Sequence, residues 1–211
     1  MTPLQTYYEN LAAAMLKKME KRGFEAYYCP DRKAAVEQAL SLIKEGSTVT
    51  WGGSVTISEA GLVSALDPEK YHIIDRNNYT TPEAKKECYR MAFSSDYYLM
   101  SANAITADGE LVNVDGNGNR VAALAYGPDH VIILAGMNKV EPDLSSAIQR
   151  VHAKAAPPNA LRLDLKTPCA LTGSCADCLS PDCICSHTII TRYNRIKGRI
   201  KVILIGENLG F

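Results

Sequence analysis

Residues 47–66 read STVTWGGSVTISEAGLVSAL, and this stretch decides the fold class. A β-rich run at 47–51 is followed by two glycines and then by a helical pattern at 56–66. The same order precedes it, where an apolar run at 24–29 leads into a helix capped by Asp31. Such alternation with short connections predicts an α/β fold with a mostly parallel central sheet flanked by helices.

The rest of the chain extends this pattern and interrupts it once. The further predicted elements are a helix at 4–22 ended by Gly23, a strand at 71–75, a helix at 82–93, strand-like runs at 97–106 and 111–114, a buried strand at 131–135, a helix from Pro142 stopped by Pro157 and Pro158, and strands at 187–193 and 199–205. Asp108-Gly109 between two β-rich runs is a strong hairpin signal. We therefore expect an antiparallel hairpin insert within the βα repeat.

Four basic residues alternate with apolar ones near the end of the chain; they are Arg195, Lys197, Arg199 and Lys201. We expect this alternation to form the solvated face of an edge strand. A phosphate-binding role is the alternative.

The composition predicts one globular domain over residues 1–211, with a cysteine-rich loop at 167–186. Hydrophobic residues make up 46% and charged residues 22%, close to the averages for globular domains. Lys plus Arg and Asp plus Glu both total 23, which argues against nucleic acid as a partner. Apolar runs fall far short of the ~20 residues that span a bilayer, and no signal-peptide pattern opens the chain. We expect a cytoplasmic protein with no membrane partner; homo-oligomerisation stays open.

Five of the seven cysteines fall in one loop; they are Cys169, Cys175, Cys178, Cys183 and Cys185. Because intracellular thiols stay reduced, this clustering favours metal binding over disulfides. The first three, with Cys185 or alternatively Cys183, complete the four sulfur ligands that zinc and an iron–sulfur cluster both require. Reduced structural thiols and a redox dithiol or disulfide are the alternatives.

The stretch Gly52-Gly53-Ser54-Val55-Thr56 joins a predicted strand to a predicted helix. Backbone N–H groups at such a junction, together with the Ser54 and Thr56 hydroxyls, form a site for a phosphate or carboxylate. The stretch is neither a P-loop nor a dinucleotide fingerprint, since the lysine and the third glycine are absent. A tight turn with a helix cap is the alternative.

Polar residues gather around the two turns of the insert; they are Asn103, Thr106, Asp108, Asn113, Asp115, Asn119 and Arg120. Turn chemistry alone explains Asp108-Gly109. It explains the stretch at 113–120 less well, because two polar clusters on neighbouring strands would converge there. If the protein is an enzyme, we expect Asp108 or Asp115 to transfer a proton. We predict that the others bind a ligand, with Arg120 holding its anionic group. Loop structure without a ligand is the alternative.

Gly136-Met137-Asn138-Lys139 follows the predicted buried strand at 131–135. Ligands of open α/β sheets bind beyond the carboxyl ends of the strands. If the strands at 47–51 and 131–135 are parallel, Asn138 and Lys139 lie at the same edge as Gly52, and Lys139 supplies positive charge to an anion. An exposed lysine without a ligand is the alternative. The histidines lack paired spacing, so we assign none of them a metal or catalytic role; they are His72, His130, His152 and His187.

Together, the stretches 52–56, 103–109, 111–122 and 136–140 and the cysteine loop at 168–185 resemble the LUD-domain family of lactate-utilisation proteins. The resemblance covers nearly all of the chain beyond the first helix. It implies a fold similar to the group of ribose-5-phosphate isomerase, glucosamine-6-phosphate deaminase and CoA-transferase (the NagB/RpiA/CoA transferase-like fold). In that group the strand–Gly-Gly-Ser–helix turn often meets a phosphate-like anion, which favours Gly52, Gly53, Ser54 and Thr56 as ligand-binding residues.

The resemblance also implies a function, because family members take part in the oxidation of lactate to pyruvate alongside iron–sulfur partner proteins. We therefore expect a protein that binds a small anionic metabolite and assists lactate utilisation, with zinc or an iron–sulfur cluster in the cysteine loop and an iron–sulfur protein as a partner. A phosphosugar isomerase or CoA-transferase-like enzyme is one alternative. A non-catalytic electron-transfer or assembly subunit that carries a metal or a cluster is the other.

Overall fold

The computed structural model describes residues 2–211, which form ten strands and eight α-helices. The strands are β1 (Glu25–Cys29), β2 (Thr48–Trp51), β3 (His72–Ile73), β4 (Tyr97–Met100), β5 (Ala104–Thr106), β6 (Leu111–Asp115), β7 (His130–Gly136), β8 (Val140–Glu141), β9 (His187–Thr191) and β10 (Ile200–Ile205). The helices are α1 (Pro3–Lys21), α2 (Arg32–Ser41), α3 (Val55–Ala60), α4 (Pro82–Phe93), α5 (Asn119–Ala125), α6 (Leu144–Arg150), α7 (Ala156–Arg162) and α8 (Pro168–Thr172). No helix within residues 2–211 combines the length and apolar character needed to cross a membrane.

The central sheet has six strands in the order β1-β10-β7-β4-β2-β3, and every neighbouring pair is parallel. Alternate residues of its strands face two helical layers. In β7, Ile133 packs in the cluster that includes α1, α4 and α5, whereas Ile132 and Leu134 pack in the cluster that includes α2 and α3. Because both faces are covered, the central strands are continuous apolar runs. The predicted parallel sheet flanked by helices is confirmed.

A second, smaller sheet has the order β8-β5-β6-β9. Strands β5 and β6 form the predicted antiparallel hairpin, with Ala104 opposite Val112. The apolar run expected at 97–106 is therefore two strands, because the chain leaves the central sheet after β4 and enters the second sheet at β5. Strand β9, which follows the cysteine loop, completes this sheet beside β6. The second sheet thus carries the hairpin and the cysteine loop to the carboxyl ends of β4 and β7.

The expectation of a solvated edge strand near the end of the chain is wrong. Strand β10 lies between β1 and β7, and both Arg199 and Lys201 are buried. The Arg199 guanidinium donates hydrogen bonds to the carbonyl oxygens of Ala123, Leu124 and Pro128, which lie at and beyond the end of α5. These internal acceptors let a charged side chain lie inside the fold.

The helix that follows Pro142 does not stop at Pro157 and Pro158, as predicted. After α6 the chain makes a π-helical turn, Val151–Ala155, and α7 then begins at Ala156 with both prolines in its first turn. Proline is tolerated there because the first N–H groups of a helix have no partner within it. The continuation brings α7 and the π-helical turn beside the cysteine loop and the carboxyl edge of the central sheet.

Candidate functional site

A cleft of about 510 Å³ opens at the carboxyl edge of the central sheet. It is bounded by the β2–α3 turn, the β4–β5 connection, the end of β6, the β7–β8 connection and α7. Strands β2 and β7 both run parallel to β4, so the two connections meet at one edge of the sheet. The predicted site residues that line the cleft are Gly53, Ser54, Thr56, Asn103, Asp115, Asn119, Arg120 and Lys139.

Lys139 lies at the floor of the cleft and is only 4% exposed. Its Nζ donates hydrogen bonds to Thr56 Oγ1 at 2.7 Å, Ser101 Oγ at 3.2 Å and the Ala102 carbonyl oxygen at 3.2 Å. None of the ion pairs within residues 2–211 includes it. Burial, and then the charges of two neighbouring arginines, lower the pKa of Lys139 to about 7. The ammonium group is therefore a buried cation that no carboxylate contacts.

Arg120 forms the wall of the cleft beside Lys139, and its side chain is 13% exposed. Its Nη1 donates to Asn113 Oδ1 at 2.7 Å and to the Ser101 carbonyl oxygen at 3.2 Å, while Nη2 donates to Asn103 Oδ1 at 2.8 Å and to the Val114 carbonyl oxygen at 2.6 Å. These bonds join the β4–β5 connection to β6. Arg120 thus shapes the cleft and adds positive charge; holding an anion directly would require it to exchange one of these bonds.

Asp115 lines the cleft at the end of β6. Its Oδ1 accepts hydrogen bonds from the backbone of Asn117 at 3.1 Å and Gly118 at 3.0 Å. Its Oδ2 accepts from the Arg120 backbone at 3.1 Å and lies 3.7 Å from Arg120 Nε. Both oxygens are thus occupied in ordering the turn between β6 and α5, and proton transfer by Asp115 stays a prediction.

The β2–α3 turn presents Gly53, Ser54 and Thr56 to the cleft. Ser54 caps α3, since its Oγ accepts a hydrogen bond from the Ile57 backbone at 3.3 Å. Gly52 lies buried beneath the turn, where a Cβ atom would be 2.7 Å from Tyr98 Oη and 3.1 Å from Arg120 Cδ. The first glycine is therefore required by close packing and not by direct exposure to a ligand.

The predicted residues that do not line the cleft are Gly52, Thr106, Asp108, Asn113 and Asn138. Asp108 lies exposed at the hairpin turn, with Oδ1 2.7 Å from Lys18 Nζ of α1. Its expected convergence with the other polar residues does not occur, because the hairpin extends away from the sheet edge toward α1. Thr106 Oγ1 accepts from the Glu110 backbone in the same turn.

Asn113 and Asn138 support the cleft from behind. Asn113 is fully buried, and its Nδ2 is the only buried side-chain nitrogen or oxygen in residues 2–211 without a hydrogen-bond partner. Asn138 Oδ1 accepts from the Leu209 backbone at 3.1 Å, and its Nδ2 donates to the Gly210 carbonyl oxygen at 3.4 Å. Asn138 therefore fixes residues 209–210 against the β7–β8 connection.

Two further basic residues line the cleft, Arg76 and Arg162, which no sequence motif had indicated. Arg76 lies just beyond the carboxyl end of β3. Ligands of open α/β sheets bind at such positions, and this is the one sequence signal that could have indicated Arg76. Its Nη1 lies 3.0 Å from where a Cβ of Gly53 would be, and its side chain makes no hydrogen bond or ion pair within residues 2–211. Arg162 donates from Nε and Nη2 to Asn159 Oδ1, which leaves Nη1 available.

The charges of the cleft are unequal. Four basic side chains line it, against the two carboxylates of Asp115 and Asp182. The first of these carboxylates is already paired with Arg120. The protein walls have a lower dielectric constant than water, so this excess of positive charge produces a positive electrostatic potential in the opening of the cleft. That potential attracts anions.

The cysteine loop encloses a second cavity of about 370 Å³. All five loop cysteines line it, together with His152 from the π-helical turn. Cys183 and Ile184 line both this cavity and the cleft, so the two share one wall. His152, which the sequence left without a role, lies with its Nδ1 3.5 Å from Cys175 Sγ.

The loop thiols are free and differ in their surroundings. Burial, and then the neighbouring thiols, raise the pKa of Cys185 to about 12, whereas hydrogen bonds from Ser180 lower the pKa of Cys178. Within residues 2–211, no three His, Cys, Asp or Glu side chains stand where they could hold a metal ion. Zinc or cluster binding by Cys169, Cys175, Cys178 and Cys185 stays a prediction.

Comparisons with known proteins bear on the fold and the family. The family model described as LUD domain matches residues 12–205. No curated protein gives a significant match. The fold is similar to the crystal structure of a DUF162 family protein from Deinococcus radiodurans, with a TM-score of 0.50, 8% identity and coverage of 94% of this chain and 98% of that chain. At this identity the likeness shows the fold alone.

Two weaker structural matches cover other proteins in part. One is eIF2B beta from Chaetomium thermophilum, with a TM-score of 0.39, 16% identity and coverage of 55% of this chain and 44% of that chain. The other is 5-methylthioribose 1-phosphate isomerase from Pyrococcus horikoshii, with a TM-score of 0.34, 14% identity and coverage of 87% and 52%. Scores at this level do not bear on function.

Proposed function

Because the chain belongs to the LUD-domain family, we propose that it binds a small organic anion in the cleft at the carboxyl edge of the central sheet and assists lactate utilisation. The observation that carries the proposal is the state of Lys139. Its ammonium group is buried at the floor of the cleft, bonded to neutral oxygens, and unpaired with any carboxylate of residues 2–211.

A buried cation without a counter-ion is costly. An anionic ligand above Lys139 would offset that cost, and this gives the cleft an affinity for negative charge. The nearby guanidinium of Arg120 adds to the same potential, although its N–H groups are occupied. The floor of the cleft thus supplies charge, while the hydrogen bonds to the ligand come from its rim.

Arg76 and Ser54 are the rim groups best placed to donate those bonds. The Arg76 guanidinium lies over Gly53 and has no partner within residues 2–211. A guanidinium matches a carboxylate or a phosphate with two parallel hydrogen bonds. Ser54 lines the same opening, and its hydroxyl, which accepts from the Ile57 backbone, keeps its own hydrogen to donate to a ligand.

The size of the cleft favours a second candidate ligand class. A volume of about 510 Å³ falls within the roughly 300–1,000 Å³ of ligand pockets, and lactate alone fills only part of it. A sugar phosphate would fill more of the space and would use more of the four basic side chains. Lactate is supported by family membership, and a phosphorylated sugar is supported by volume and charge.

Calorimetric titration with L-lactate, D-lactate, pyruvate, ribose 5-phosphate and inorganic phosphate tests the proposal. We expect one of the organic anions to bind, and we expect Lys139→Met and Arg76→Gln each to weaken that binding by about tenfold or more, since a bond to a charged group contributes about 1.5–3 kcal/mol. Lys85→Met, an exposed lysine of α4 outside the cleft, is the matched control and should bind as the wild type does. Absence of binding by every anion, or equal binding by all variants, would overturn the proposal.

A further inference from the structure

We propose that the cysteine-lined cavity binds an iron–sulfur cluster, and not a single zinc ion, through four of the five loop thiolates. The proposal rests on the arrangement of the thiols around this cavity. It is independent of which anion, if any, binds in the neighbouring cleft.

The thiols surround a space and do not converge on a point. A tetrahedral zinc ion needs four ligands ~2.3 Å from one centre, and no such group exists within residues 2–211. The five thiols instead line a cavity of about 370 Å³. A cluster suits that arrangement, because its two or four irons together bind four cysteines around a core of inorganic sulfide, so the thiolates need not share one centre.

Three of the five loop thiols have no packing role in a hydrophobic cluster. Cys175 is exposed, and Cys178 and Cys183 are partly buried outside the clusters, whereas Cys169 is buried and Cys185 packs against the cluster that includes Val112. Residues 174–186 contain no helix or strand. None of the five thiols is paired in a disulfide. A cluster would tie together a segment that contains no regular secondary structure.

Hydrogen-bond donors already point at the sulfurs. The backbone N–H of Asp177 donates to Cys175 Sγ at 3.4 Å, and the N–H of Cys185 donates to Cys183 Sγ at 3.4 Å. His152 Nδ1 lies 3.5 Å from Cys175 Sγ. Donors of this kind stabilise negative charge on ligating sulfurs and set the potential of a cluster.

The cysteine-lined cavity lies next to the cleft in which we propose that an anion binds. Cys183 and Ile184 form a wall common to the cavity and to the cleft. An iron–sulfur cluster here would be an electron carrier adjoining the anion site. The cluster and the bound anion would then be neighbours within one domain.

The test is anaerobic reconstitution of the full chain with ferrous iron, sulfide and a thiol reductant. Zinc, iron and acid-labile sulfide are then measured, together with the electron paramagnetic resonance spectrum after reduction. We expect two or four irons with equal sulfide per chain and a signal from the reduced cluster. The double variant Cys175→Ala/Cys178→Ala should lose both iron and sulfide. Cys88→Ala, which changes a buried cysteine of α4 outside the loop, should retain them.

Three results would each overturn the proposal: one zinc per chain with no sulfide, iron without sulfide, or no bound metal after reconstitution. Retention of the cluster by Cys175→Ala/Cys178→Ala would overturn it as well. Because these two side chains are exposed or half-exposed, the variant is expected to fold. Circular dichroism of the metal-free variant and of the metal-free wild type checks this directly.

Discussion

Lys139 Nζ lies 2.7 Å from Thr56 Oγ1, although 83 positions separate the two residues. This bond joins the β7–β8 connection to the first turn of α3. The other two bonds of the same ammonium reach Ser101 and Ala102 in the β4–β5 connection. One buried cation therefore holds together the three segments that form the floor of the cleft.

Lys139→Met is expected to stabilise the protein most at low pH. The pKa of this lysine falls from 10.5 to about 7 on folding, so between these values the unfolded chain binds a proton that the folded chain does not. Stability of the wild type should thus rise as pH rises from about 7 toward 10, and the burial penalty is fully present below about pH 7. At about pH 6 the variant should gain about 2 kcal/mol, after about 1 kcal/mol is lost for each of its hydrogen bonds.

Urea unfolding of both proteins across this pH range measures that difference. The gain should shrink as the pH rises and become a loss near pH 10, where the lost hydrogen bonds outweigh the remaining burial penalty. A difference that stays constant with pH would contradict a lowered pKa for Lys139.

Gly52→Ala tests the close packing beneath the β2–α3 turn. The added Cβ would lie 2.7 Å from Tyr98 Oη and 3.1 Å from Arg120 Cδ. We expect the free energy of unfolding to fall by about 1–3 kcal/mol, as overpacking usually costs. Adding Tyr98→Phe should recover part of this loss because it removes the clashing hydroxyl. Equal stability of Gly52→Ala and the wild type would show that the turn accommodates a side chain.

Arg120→Met tests the role of Arg120 as the organiser of the cleft wall. The variant removes a donor from four oxygen atoms of the β4–β5 connection and β6, of which Asn103 Oδ1 keeps its bond from the Val114 N–H. We expect a loss of about 3 kcal/mol or more in thermal or urea unfolding. Arg90→Met, in which an exposed arginine of α4 loses one pairing with Glu87, should change stability by about 0.5 kcal/mol or less. Similar losses in the two variants would argue against the network.

His152→Phe tests the surroundings of the proposed cluster. The ring nitrogen lies 3.5 Å from Cys175 Sγ, and a donor to a ligating sulfur stabilises the reduced cluster. We expect the reconstituted variant to keep its iron and to have a more negative reduction potential than the wild type. Potentiometric titration measures the shift. An unchanged potential would show that His152 does not donate to the cluster.

Much of the fold follows from local sequence signals, and the cleft follows from the fold. Periodic apolar runs predict the strands and helices, and the parallel order then places Lys139 beside Thr56. Asp31 and Ser54 cap their helices because a side-chain oxygen accepts from a backbone N–H three residues on. These are short-range interactions, which a single sequence displays directly.

The sequence does not show which residues contact one another when they lie far apart along the chain. An alternating basic pattern looks the same on an exposed edge and in a buried strand, and only the carbonyl acceptors near the end of α5 make Arg199 an interior residue. Asp108 and Asp115 both precede a glycine, yet one lies against α1 and the other in the cleft. Arg76 belongs to no motif and enters the cleft only because β3 lies at the edge of the sheet beside β2.

The measurement that tests the central claim most directly is proton uptake on anion binding. Titrations of the tightest organic anion at about pH 7, in buffers of different ionisation enthalpy, give the number of protons taken up. Because the pKa of Lys139 is about 7 in the free protein and a bound anion raises it, the wild type should take up part of a proton. Lys139→Met should take up none. Binding without proton uptake, or equal uptake by the two proteins, would contradict a ligand held above the Lys139 ammonium.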